Sequence, residues 1–162
     1  RDASVSQRAA AWLRRWDWGG RWAVVLLRPG EWPAAADRQR LLRALADFED
    51  AAEPLAARRA WSVAAERWPD EPVAWLGLGN AAYRDGDLAA AREAYRRILR
   101  RDPGNLPAHL NLLATQADEG APCDALRALG PAPADDHPLA STFAELEDRL
   151  RTECPPFDSP SD

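Results

Sequence analysis

Residues 72–105 read PVAWLGLGNAAYRDGDLAAAREAYRRILRRDPGN. The spacing predicts two amphipathic helices joined by a tight turn, because Trp75, Leu78 and Ala82 share one face of the first and Leu88, Ala91, Tyr95 and Ile98 one face of the second. Gly79 and Ala91 are the small residues that allow two such helices to touch. Gly86 and Asp87 supply the turn, with Asp87 placed to cap the second helix. Asp102-Pro103-Gly104 stops it, since a proline after the last turn cannot continue the hydrogen-bond ladder. A pair of this size cannot bury both of its faces alone, which predicts neighbours of the same kind.

Those neighbours stand 34 residues away on either side. Moving back by 34 from Ala91, Tyr95, Ile98 and Pro103 gives Ala57, Trp61, Ala64 and Pro69. Moving forward from Trp75, Leu78, Ala91 and Tyr95 gives His109, Leu112, Ala125 and Leu129. The pattern resembles the tetratricopeptide repeat, whose Trp, Leu-Gly, Tyr, Ala, aromatic, Ala and Pro positions are met by Trp75, Leu78-Gly79, Tyr83 (one place late), Ala91, Tyr95, Ile98 and Pro103. The resemblance implies an all-α solenoid of about three helix-turn-helix repeats, at 38–71, 72–105 and 106–130, closed by a capping helix at 138–151. The first repeat has Ala52 where the turn glycine belongs. The third has Leu113 where the small glycine belongs, and it breaks off at Gly130-Pro131.

Bulk properties bound the rest. With 162 residues the chain is one ordinary domain's worth. Its formal net charge of -5 offers nucleic acid no overall attraction. All 21 basic residues are arginine, and with the abundance of alanine this points to the codon usage of a GC-rich bacterium. The absence of methionine implies that the gene product starts upstream. The longest apolar run, residues 22–27, is far short of the roughly 20 residues of a membrane span. Cys123 and Cys154 lie far apart in sequence and make no disulfide framework, which leaves the redox compartment open.

The ends need separate readings. Residues 3–16 place Val5, Ala9, Trp12, Leu13 and Trp16 on one side of a helix, and Gly19-Gly20 ends it. Residues 21–30, RWAVVLLRPG, are the one stretch of strand composition. A lone strand must pair with a second copy, making residues 21–28 a homodimer contact, or with another domain, or not form, because unpaired buried backbone groups cost about 1 to 3 kcal/mol each. Five of the eight tryptophans crowd this segment: Trp12, Trp16, Trp18, Trp22 and Trp32. The succession of a helix closing in Arg-Arg-Trp, a Gly-Gly turn, this strand and then a repeat resembles the junction in bacterial proteins that join a papain-like cysteine peptidase-like domain to a repeat region. That likeness implies that residues 1–30 are the remnant of an upstream domain and the chain its accessory. The nucleophilic Cys and the His of such a domain have no counterpart here, so no activity is carried over. Residues 31–37 read as a linker. The helix over about 38–51 places Leu41, Leu42, Leu45 and Phe48 at helical spacing. The tail from 153 to 162, rich in proline, aspartate and serine, reads as disordered. Pro54, Pro72, Pro107 and Pro122 fall near helix starts, where a missing amide is harmless.

No catalytic constellation emerges. His109 takes the place of the repeat's usual aromatic residue and reads as packing, and His137 sits in a proline-rich loop and reads as solvated. A Cys123–His109 dyad lacks an orienting third group. Asp135-Asp136-His137 lacks metal-ligand spacing. Arg96, Arg97, Arg100 and Arg101 lie on the outer face of their helix and read as a solvated face paired to Glu93. The chain is therefore expected to be no enzyme and to need no cofactor or metal. Resemblance to the repeat family instead implies a concave face lined by the first helix of each repeat, holding a protein or peptide partner. Its positions are Leu42 and Ala46, then Leu76, Asn80, Tyr83 and Arg84, then Leu110, Asn111, Ala114 and Gln116. Leu76 and Leu110 could equally be core. The lysines and arginines of a carboxylate clamp for chaperone tails are absent from these places.

Overall fold

The computed structural model describes residues 38, 42, 43, 45, 46 and 54–154. The expected helix at 3–16, the strand at 21–28, the linker at 31–37 and the end of the tail lie outside the described residues. Among the described residues six helices follow one another: α1 Pro54–Arg67, α2 Pro72–Arg84, α3 Leu88–Leu99, α4 Leu106–Asp118, α5 Pro122–Ala128 and α6 Ala140–Glu153. Residues 38, 42, 43, 45 and 46 are helical as well, and no strand occurs among the described residues. The architecture is an all-α helical repeat. The chain divides into two compact units, Arg1–Asp87 and Leu88–Asp162.

In the first unit α1 packs against α2. Leu42, Leu45, Ala60, Trp61, Ala64, Ala74 and Ala81 form one core, with Trp68, Trp75 and Leu78 packed against it. Alanines let the two helices approach closely, and Trp61 fills the space they leave. It is 1% exposed. Gly77 makes this possible: a Cβ built there would lie 2.3 Å from the indole ring, far inside van der Waals contact. Gly79 is buried too, but Gly77 is the glycine that lies under the ring. Trp75 fixes the entry to α2 by donating its Nε1–H to the Pro69 carbonyl at 3.0 Å.

In the second unit α3 packs on α4, α4 on α5 and α6, and α5 on α6. Ala91, Ala94, Tyr95 and Ile98 are the buried positions of α3, as the spacing predicts. Asn105 caps α4 by accepting the Ala108 N–H at 3.2 Å, and Pro107 occupies its first turn. The far core joins Leu110, Leu113 and Ala117 of α4, Ala125 of α5, Leu129 and the α6 residues Phe143, Leu146 and Leu150.

The repeat shows in the hydrogen bonds as well as in the side chains. After α2, the N–H groups of Asp85, Gly86 and Asp87 bond to the carbonyls of Ala81, Tyr83 and Ala82. After α4, those of Glu119, Gly120 and Ala121 bond to Thr115, Ala117 and Gln116, each 34 places on. Gly86 and Gly120 have φ of 77° and 91°, a left-handed conformation that stops the helix and that only glycine adopts cheaply. An ion pair repeats with them. Arg58 reaches Asp85 at 3.4 Å, and Arg92 reaches Glu119 at 2.8 Å, so both partners advance by 34. Arg58 also pairs with Asp87. The hydrogen bond to Asp87 holds the Arg58 guanidinium above its ordinary pKa, against a smaller opposing effect of burial.

The structure corrects the expectation for the cysteines. Cys123, second residue of α5, and Cys154, just past α6, are joined in a disulfide with Cα atoms 5.0 Å apart. Their separation of 31 residues hides this contact. Packing of α6 against α5 brings the end of one helix to the start of the other. Closing a loop of this length stabilises the fold by about 3 to 4 kcal/mol in the chain-entropy account.

Candidate functional site

Helix periodicity sorts the residues of α2 by side. Ala74, Gly77 and Ala81 are buried on the side of Trp61. Beside them, in a sector centred roughly 100° round the helix, stand Val73, Leu76, Asn80, Tyr83 and Arg84, and further round lie Gly79 and Ala82, which are buried as well. Leu76, Asn80 and Tyr83 are half-buried and Arg84 is exposed. Val73, at 44%, is the one large hydrophobic residue exposed among the described residues. Sequence reasoning missed Val73, although its place three residues before Leu76 on the same face was a readable signal. Ala46 is exposed in its helical segment.

Other expected positions have different surroundings. Leu42 and Leu110 are 1% and 2% exposed and belong to the two cores, so their side chains reach no partner from outside. Leu42 sits three residues from Leu45 in the cluster around Trp61. Leu110 is buried by the arrival of α5 and α6, and Ala114 packs partly into the same cluster. The face of α4 that corresponds to Leu76 and Asn80 of α2 is therefore covered. Asn111 and Gln116 are half-buried. Asn111 stands 34 places after Gly77, so its register is that of the position facing the preceding helix. Gln116 is five residues from Asn111, which sets it well around the helix from it.

The charged and titratable groups show pairing within the fold. Nε2 of His109 donates to the Ala128 carbonyl at 3.1 Å, tying α4 to the end of α5. His109 occupies the register of Trp75, which also donates a ring N–H to a backbone carbonyl. His137 is exposed, and its Nδ1 accepts the Leu139 N–H at 3.1 Å. Cys123, joined to Cys154, has no thiol to pair with His109. Glu93 accepts a hydrogen bond from Arg100 at 2.9 Å. That bond, opposed by slight burial and aided by the charges of Arg100, Arg96 and Arg97, holds the Glu93 carboxyl below the ordinary range. Among the described residues no group of three His, Cys, Asp or Glu side chains is placed to hold a metal ion. No described helix is long and apolar enough to cross a membrane.

Residues 40–105 match the family model described as tetratricopeptide repeat. No curated protein matches the chain. Repeats of this family generally mediate protein–protein interaction and are typically not catalytic.

Proposed function

We propose, for a chain whose residues 40–105 match the tetratricopeptide repeat model, that it is a protein-interaction module whose α2 face receives a peptide or an extended segment of a partner. The observation that carries this reading is the exposed Val73 beside half-buried Leu76 on a face that also carries Asn80, Tyr83 and Arg84. Leucine and valine supply an apolar seat, asparagine offers both a donor and an acceptor to a peptide backbone, and arginine adds a positive charge suited to a carboxylate. Ala46 belongs to the same reading through its register, 34 places before Asn80.

Selection of a random peptide library on the folded chain, followed by titration of a recovered peptide, tests the proposal. Asn80→Ala and Val73→Asp should each weaken binding about tenfold, or about 1.4 kcal/mol, and leave the Tm within about 2 °C. Asn111→Ala, in the register of Gly77, should leave affinity unchanged. Equal affinity across all three variants would remove α2 as the binding face.

A further inference from the structure

The chain has two cysteines, and the fold brings them together at one place, the C-terminal end of α6. α5 has 7 residues where α1 to α4 have 12 to 14. Too short to cover α4 alone, it leaves that task to α6, which lays Phe143, Leu146 and Leu150 over Leu110, Leu113, Ala125 and Leu129. A chain segment with exposed Pro131 and Pro138 leads into the start of α6. Its end is held by the burial of Leu150 in that core, by the pair between Arg149 and Asp118 of α4, and by the disulfide one turn beyond Leu150, where the Cys154 N–H bonds to the Leu150 carbonyl at 2.9 Å. The ion pair lies partly in solvent and binds weakly. The disulfide is the covalent link, and the one a reductant can open. Cys123 is exposed, while Cys154 is half-buried.

We propose that Cys123–Cys154 is a redox-sensitive clasp on the capping helix, closed in an oxidising compartment, whose reduction lets α6 lift and uncovers the apolar face of α4 and α5. In opening, a thiolate of a dithiol reductant attacks Sγ of the exposed Cys123 and the S–S bond breaks. Cys154 leaves as a thiolate and takes a proton. The second thiol of the reductant then displaces Cys123, so that the reductant ends as a disulfide and the protein holds two thiols. In closing, the two thiols lose two protons and two electrons to a disulfide-exchange protein or to glutathione disulfide. Disulfides of this kind persist in secreted and envelope compartments and are rare in reducing ones.

The test uses the full chain. After equilibration with an oxidising glutathione mixture, denatured protein should show no thiol reactive with a chromogenic disulfide reagent, and two after treatment with a phosphine reductant. Amide hydrogen exchange over residues 140–153 should then speed up by roughly tenfold or more on reduction, with exchange in α1 and α2 unchanged. Cys123→Ser/Cys154→Ser should match the reduced protein with or without reductant. If that variant does not fold, the reductant titration of the unaltered chain carries the test. Two reactive thiols under oxidising conditions, or equal exchange of residues 140–153 in both redox states, would overturn the proposal.

Discussion

Gly77 has no side chain, and the ring of Trp61 lies where one would stand. An alanine there gains up to about 1 kcal/mol of helix propensity, but it drives a methyl into a rigid, fully buried indole, and overpacking of this kind costs about 1 to 3 kcal/mol. Because a Cβ 2.3 Å from a buried ring forces one of the two to shift, we expect Gly77→Ala to lose about 2 kcal/mol net, read as a lower denaturant midpoint with unchanged slope. Gly104→Ala, whose Cβ would meet only an ordinary contact with Asp102, should stay within about 0.5 kcal/mol. The 34-residue spacing marks Trp61 as the partner of Tyr95 in register, but no spacing says which glycine of LGLG the ring covers. Glu93 is a smaller case. Its folded pKa is depressed, so the stability it adds is present above the ordinary carboxylate range and is lost as pH falls through the lower folded value. Both partners are more than half exposed. Glu93→Gln should therefore cost about 0.5 kcal/mol or less at pH 7, and thermal melts of the two proteins should converge in acid or at high salt.

At the scale of elements, the positive φ of Gly86 and Gly120 ends two helices in the same way. Gly86→Ala and Gly120→Ala should each cost about 1 kcal/mol, because a Cβ in that conformation is strained even where space is open. Gly86 was legible as a turn glycine. Gly120 stands 34 places on, so the spacing carries it too, although the third repeat departs from the pattern at Leu113 and breaks off at Gly130-Pro131. α6 could be read from Phe143, Leu146 and Leu150, but the shortness of α5, which makes α6 necessary, shows only in the structure. Leu150→Ala, at a fully buried position, should cost about 2 to 5 kcal/mol, seen as a fall in Tm of several degrees.

For the molecule as a whole, the formal charge of -5 leaves a duplex nothing to gain from counterion release, so no mobility shift of DNA is expected at micromolar protein and about 0.15 M salt. The helix boundaries marked by proline and glycine and the apolar stripe of each helix were written in the chain, because each depends on residues a few places apart, and the 34-residue period is the recurrence of those local patterns. The choice between core and surface for one helix face was not. Leu42, Leu76 and Leu110 hold the same register, yet Leu42 and Leu110 are core and Leu76 is half-buried. Their difference comes from which helix arrives to cover them, and for Leu110 that is α5 and α6. The meeting of Cys123 with Cys154 has the same origin. Sequence periodicity determines which side chains share a face, whereas the partner of that face is set by contacts between residues distant along the chain, and only the packed structure decides those.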